Sequence, residues 1–397
     1  MKQYKEIPAG YKDSPLGIIP EDWQVKKLDE LGVFLKGKGI PKDKIKSFGN
    51  PCLTYGDIYT KYNFVIKNIK SFIDDSAALE SQKIEFGDIL FAGSGETIED
   101  IGKCVAYIDK EIAFAGGDII IFKPYESESI TLSYLLNSSV SNKQKYKFGQ
   151  GHSIVHIYPF HLKKIEIVLP TLPEQKKIAE ILFFWDKAIE KQEQLVEKLE
   201  RRKRAIMQPI MRGKIRLSGF AIKWGDTELG DLLDYIQPTP YLVRDTLYDN
   251  KYPVPVLTAG KTFVLGYTNE IDGVFVDLPV IIFDDFTTAS KFVNFPFKAK
   301  SSAMKLLKAK KNVNIKFVYE AMQQIKYAIG GHERHWISKF SYITIPLPGI
   351  EEQNKIAEII SCIDTEIDLA REILGAFRSQ KNCLMQKLLT GKTRVKL

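Results

Sequence analysis

The sequence predicts a mixed α/β (α+β) chain. Two different globular domains are joined by two long antiparallel helices that form a coiled coil, giving a pseudo-two-fold internal repeat. Three observations predict this. Residues 165–217 recur without a gap at 343–395. Each copy carries apolar residues at alternating steps of three and four over a stretch too long for an ordinary globular helix. The segments ahead of the two copies show no comparable likeness, so the chain reads variable, repeated, variable, repeated. The predicted boundaries are 1–164 for the first domain with its N-terminal arm, 165–217 for the first repeated segment, 218–342 for the second domain and 343–397 for the second repeated segment.

Each repeat opens on an alternating apolar run, Ile165-x-Ile167-x-Leu169 or Ile343-x-Ile345-x-Leu347, which puts the apolar residues on one face of a strand. Pro170 or Pro348 then ends the strand. Thr171-Leu172-Pro173-Glu174 fits a capping box with proline in the first turn; Gly349 weakens that cap in the second copy. The predicted seam follows: Ile178, Ile181, Trp185, Ile189 and Leu199 in the first helix, Ile356, Ile359, Ile363, Ile367 and Leu374 in the second. Charged and amide residues fill the positions between, as in a coiled-coil seam. Gly213 and Gly391 stop each helix at the same place. From 174 to 212 the helix extends about 58 Å at about 1.5 Å per residue, so it needs a partner. Chain continuity makes that partner the second helix, running back along the first. Trp224-x4-Leu229-Gly230-Asp231-Leu232 resembles Trp23-x4-Leu28-Asp29-Glu30-Leu31, which places the C-terminus beside the N-terminal arm.

A length of 397 residues suits two domains plus connecting helices. Apolar content of 44% and charged content of 27% describe a globular chain with ample core. The net charge of +8 favours an acidic partner. Four cysteines without CxxC spacing, no signal-peptide core at the N-terminus and no run of membrane-spanning length lead to an expected cytoplasmic setting.

The doubled element Pro-x-x-x-Glu-Gln-x-x-Ile-Ala-x-x-Leu/Ile, preceded by a strand and followed by a long helix, resembles the specificity (S) subunit of type I restriction-modification enzymes. Pro15-Leu16-Gly17-Ile18-Ile19-Pro20-Glu21-Asp22-Trp23 is similar to that family's usual start. Gly87-Asp88-Ile89-Leu90 with Gly93-Ser94-Gly95-Glu96, and 291–297 in the second domain, are similar to segments seen there. The resemblance implies that the globular domains are target-recognition domains, each reading one half of a bipartite, asymmetric site in double-stranded DNA. It implies that the helices act as a spacer and dock two methyltransferase (modification) subunits, and through them the restriction/translocase subunits. It implies no catalysis and no cofactor in this chain, with S-adenosylmethionine, ATP and magnesium held by the partners. The competing readings are an adaptor or structural coiled-coil protein and an enzyme with an unrecognised site.

The residues themselves offer little catalytic chemistry. No Asn/Asp-Pro-Pro-aromatic loop of an adenine methyltransferase occurs. Gly32-x4-Gly37-Lys38 begins like a P-loop, but Gly39 stands where the magnesium-binding hydroxyl is required. His152 with His156 and His332 with His335 have ligand-like spacing but no acidic or thiol companions, so no metal is expected. For DNA, Lys143, Lys145 and Lys147 alternate with Tyr146 and Phe148 ahead of Gln150 and His152, and His332, Arg334 and His335 stand at nearly the same distance before the second repeat. Cations there suit phosphates, while Gln, His and Arg suit base edges. Thr287, Thr288 and Lys291 are further candidates. Tyr55-Gly56-Asp57 and Ser94-Gly95-Glu96-Thr97 read either as DNA-facing loops or as turns. The run 201–204 reads either as a solvated helix face or as a contact with a partner or the DNA spacer.

Overall fold

Two β-rich domains form where apolar runs too short for helices are punctuated by glycine and proline. The computed structural model describes residues 7–151, 154–260, 262–325 and 335–397. It divides into two compact units, Met1–Gln192 with Ile373–Leu397, and Glu193–Glu372. Both boundaries fall inside long helices.

In the first unit, the run Ile119–Pro124 is an inner strand of a five-stranded sheet ordered Gly32–Lys36, Ile119–Pro124, Ile89–Ala92, Cys104–Tyr107, Val65–Ile66. Ile119 to Phe122 are buried on both faces, which is why they read as an unbroken apolar run. A second sheet runs Ser71–Ile73, Asn50–Leu53, Ala113–Ala115, Gln82–Ile84. Helix Ser129–Leu136 covers the core, capped by Glu128, whose carboxylate accepts from the Thr131 N–H.

The second unit repeats this plan. Its larger sheet is ordered Leu233–Ile236, Met304–Ala309, Val280–Asp284, Ser290–Val293. Its smaller sheet runs Val264–Thr268, Val254–Leu257, Lys298–Ala299. Position by position along each sheet, these match the first four and the first three strands given for the sheets above. The parallel pair keeps its sense too, Asn50–Leu53 with Ala113–Ala115 and Val254–Leu257 with Lys298–Ala299. Helix Ile315–Met322, capped by Asn314, takes the place of Ser129–Leu136. The variable segments are therefore unlike in their residues and alike in their fold. One short signal of the likeness is legible: Pro51-x-Leu53-Thr54-x-Gly56 against Pro255-x-Leu257-Thr258-x-Gly260.

The long helices are Leu172–Met211 and Ile350–Leu389, 40 residues each. Within the first unit, Ile178 and Leu182 share one core with Leu388 and Leu389. Within the second, Met207 and Ile210 share one with Ile356 and Ile360. The start of one helix thus meets the end of the other in each unit, and the helices run antiparallel.

Candidate nucleic-acid interface and its helical scaffold

The doubled Glu-Gln is explained by what surrounds it. In the first unit, strand Gln24–Lys27 pairs antiparallel with Glu166–Leu169, and in the second Gly225–Glu228 pairs with Thr344–Leu347. This positions Trp23 and Trp224 at the start of each long helix. Trp23 Nε1 donates to Glu174 at 2.7 Å and Arg394 Nε donates to its other oxygen at 2.6 Å. Trp224 Nε1 donates to Glu352 at 2.9 Å, beside Arg216 Nε at 2.9 Å and Nη2 at 2.7 Å. Arg216 and Arg394 are matched positions of the repeat. Each glutamate therefore ties a helix start to the segment that follows the other helix's end. In the first unit this also brings the C-terminal segment to the N-terminal arm, through Arg394–Asp22 at 2.7 Å and Tyr11 Oη donating to the Gly391 carbonyl at 2.8 Å.

The glutamine ties the domain to the scaffold. Gln175 accepts from the Glu128 N–H at 2.9 Å and donates to the Pro170 carbonyl at 2.8 Å. Gln353 accepts from the Asn314 N–H and donates to the Pro348 carbonyl, both at 2.8 Å. Glu128 and Asn314 are the N-caps of the two domain helices, so one amide spans a strand end and a cap in each unit.

A second tie lies farther along. Asp186 accepts from Tyr134 Oη and Lys381 Nζ. Asp364 accepts from Lys203 at 2.7 Å and Lys316 at 2.6 Å, and Lys203 also donates to Glu320 at 3.0 Å. Asp186 matches Asp364 and Lys203 matches Lys381 in the repeat, while Tyr134 and Glu320 hold the same place after their helix caps. The electrostatics differ. Burial lowers the pKa of Lys381 in spite of Asp186. Burial also acts on Lys203, but the Asp364 and Glu320 carboxylates outweigh it and raise its pKa.

The predicted seam residues divide. Ile178, Leu199, Ile356 and Ile367 are buried; Ile181, Trp185, Ile189, Ile359, Ile363 and Leu374 are half-buried. Leu182 and Ile360, matched in the repeat and absent from the predicted seam, are fully buried. They face the globular domains as well as the partner helix, so near the helix ends the apolar face is broader than a coiled-coil seam. Leu199, Ile367 and Ala370 form a contact between the two helices alone.

The predicted DNA residues also divide. Lys143, Lys145 and Lys147 do not alternate along an extended strip, since helix Ser139–Tyr146 carries the first two. Lys143 and Lys147, four apart, are exposed. Lys145 lies on the other face, 1% exposed, with Nζ donating to the Gly102 carbonyl at 2.7 Å, so its assignment to a phosphate is corrected. Gln150 is exposed and bridges His156 through the backbone. Thr287 and Thr288 form the turn between Val280–Asp284 and Ser290–Val293, with Lys291 exposed just beyond. His335 is fully buried, its N–H donating to the Asp285 carbonyl at 3.1 Å, and it too is withdrawn from the DNA face. His152, His332 and Arg334 lie outside the described residues. Of the basic run, Arg201 pairs with Glu197, Arg202 with Glu366, and Lys203 with Glu320 and Asp364. Among the described residues no group of three His, Cys, Asp or Glu could hold a metal, and no helix is long and apolar enough to cross a membrane.

The Type I restriction modification DNA specificity domain matches residues 20–201 and again 221–376. The chain belongs to this family. It is 42% identical over 189 residues to the Escherichia coli EcoR124I/EcoR124II specificity subunit, a match covering 44% of this chain and 46% of that protein. The matched part thus spans about half the length of that relative. A protein of Methanocaldococcus jannaschii, provisionally named the MjaX type I restriction enzyme specificity subunit, is 29% identical over 99% of this chain and 98% of its own. The S subunit of a type-I restriction-modification system from M. genitalium shares the fold, with TM-score 0.64 at 16% identity, over 92% of this chain and 96% of that one.

Proposed function

We propose that this specificity subunit reads a split, asymmetric DNA sequence without performing chemistry itself. Each globular domain reads one half. The domains share a fold and differ in their loops, so the two halves of the target differ. The long helices dock two methyltransferase subunits, one on each equivalent set of helix faces, and through them the restriction subunits. S-adenosylmethionine, ATP and magnesium are then bound by those partners. The observation that carries this reading is the duplication: one domain fold and one set of Glu, Gln, Asp and Lys ties, built twice on repeated helices. Methylation mapping of host DNA with and without the gene tests it. A bipartite methylated motif should vanish with the gene. Methylation or cleavage by the isolated chain, supplied with S-adenosylmethionine and Mg²⁺, would show instead that it is an enzyme.

A further inference from the structure

From Lys36, the last residue of strand Gly32–Lys36, to the start of Asn50–Leu53 the first domain carries a strap with five lysines, Lys36, Lys38, Lys42, Lys44 and Lys46, against one aspartate, Asp43. The strap is fixed along its length. At its start the Gly37 N–H donates to the Ile119 carbonyl at 2.7 Å and the Lys38 N–H to Ala115 at 3.0 Å. A Cβ on Gly37 would stand 1.9 Å from the Gly116 carbonyl oxygen, so only glycine permits this approach. In its middle, Ile40 and Ile45 sink into a small core with Cys52, Ile73 and Phe114. At its end Lys46 pairs with Asp74 at 2.8 Å. The other four lysines point outward: all are exposed, and none forms an ion pair among the described residues. Ile40 sits at φ 64°, where a β-branched residue is strained by on the order of 1–3 kcal/mol. Strain held by a well-anchored loop is a mark of a functional edge.

Beneath the strap opens a cleft of about 810 Å³ lined by Lys42, Tyr55, Gly116, Gly117 and Asp118 among others. It gathers the loops that follow Gly32–Lys36, Asn50–Leu53 and Ala113–Ala115. Tyr55 and Asp118 are both exposed there. The matching loop of the second domain, 237–253, balances Arg244 and Lys251 with Asp245 and Asp249 and lacks this charge.

We propose that the strap and its cleft are the edge by which the first domain grips duplex DNA, an inference that rests on the DNA-reading function above. Lys36, Lys38, Lys42 and Lys44 neutralise phosphates, and Asp118 accepts from an exocyclic base amino group in the major groove, as carboxylates do from cytosine. The first domain then supplies more of the salt-dependent binding than the second.

The test measures binding of a mixed-sequence DNA duplex by the full chain co-expressed with its methyltransferase subunits, from about 50 to about 200 mM salt. Replacing all four lysines with glutamine should reduce the slope of log affinity against log salt by about 3–4, at about 0.9 for each phosphate no longer neutralised. The half-variants K36Q/K38Q and K42Q/K44Q should each show about half of that reduction, and they keep the question answerable if the quadruple variant folds poorly. Asp118→Asn should leave the slope unchanged and alter the methylated sequence at one position. A strap variant that keeps the parent's slope, while K143Q/K147Q loses it, would overturn the proposal and move the grip to the helix Ser139–Tyr146. A parent complex that binds duplex without salt dependence would instead defeat the DNA-reading function itself.

Discussion

Lys145 shows how a charge can be spent on architecture. Its ammonium is buried with the Gly102 carbonyl as acceptor and the Cys104 thiol nearby. Burial pushes its pKa down to about 8. Because the folded value lies below the unfolded one, the folded state carries the full penalty below pH 8. That penalty is relieved as pH rises from about 8 towards the ordinary lysine range near 10.4. Urea unfolding of the chain should therefore show a gain in stability of the first unit over that window, and Lys145→Met should abolish the gain. A pH dependence identical in the two proteins would mean that Lys145 is not the titrating group. The buried glutamates make a sharper residue-scale case. Glu174→Ala leaves the Trp23 N–H without its acceptor and removes one partner of Arg394, and Glu352→Ala does the same to Trp224 and Arg216. Each should cost about 2–3 kcal/mol, less than a fully buried pair because both arginines reach solvent. Denaturant unfolding checks this against Glu180→Ala, an exposed control on the same helix. Equal stability of all three variants would show that the Glu-Gln element is not structural.

At the scale of the element, the periodicity of the long helices was readable but the identity of their most buried residues was not. Alternating steps of three and four select Ile181 and Ile359, because that pattern describes a helix facing one partner. Near their ends these helices face two, and the added packing buries the adjacent positions Leu182 and Ile360. Leu182→Ala or Ile360→Ala should cost about 2–5 kcal/mol. The half-buried Ile181→Ala and Ile359→Ala should cost clearly less, and the reverse order in thermal unfolding would restore the narrow seam. The ionic ties were equally hidden, since matched Asp186 and Asp364, or Lys203 and Lys381, read alone as surface charges. The setting of Asp364 predicts a pH dependence. Burial raises the Asp364 pKa, but hydrogen bonds from Lys203 and Lys316 outweigh it, and the net shift is downward. A carboxylate lowered on folding stabilises above its unfolded pKa and loses that contribution as pH falls through the folded value. Asp364→Asn should therefore flatten the loss of stability as pH falls below about 3.9, the ordinary aspartate value. An unchanged acid profile would assign that loss to other carboxylates.

For the whole molecule, the repeat makes the scaffold legible because its contacts recur at one spacing, whereas the surface proposed to read DNA lies in loops that carry no period. Lys143 and Lys145 looked alike in sequence, and only the helix that carries them separates an exposed side chain from a buried one. The shared domain fold is hard to read because it is specified by apolar alternation that many residues satisfy; beyond the Trp23 and Trp224 lead-ins, the brief Pro-x-Leu-Thr-x-Gly match is a trace of it. That shared fold has a consequence for exchange. Two of the ties between a domain and its scaffold are matched in both units, the cap N–H held by Gln175 or Gln353 and the residue that meets the Asp/Lys pair. Tyr134 serves the second role in one domain and Glu320 in the other. A foreign second domain, exchanged at boundaries near 218 and 342, should therefore dock only if the residue six places after its helix cap is an acceptor for Lys203 or a hydroxyl donor to Asp364. Glu320→Tyr mimics the first domain's arrangement and should be tolerated. Glu320→Lys places a third cation beside Lys203 and Lys316 and should destabilise the second unit by several kcal/mol while leaving the first unit's unfolding unchanged. In a chimera that keeps the tie, methylation mapping should show one half of the target altered and the other retained. If both halves changed together, or if Glu320→Lys unfolded no more readily than Glu320→Tyr, the two domains would not be the independently docked readers that the duplicated ties imply.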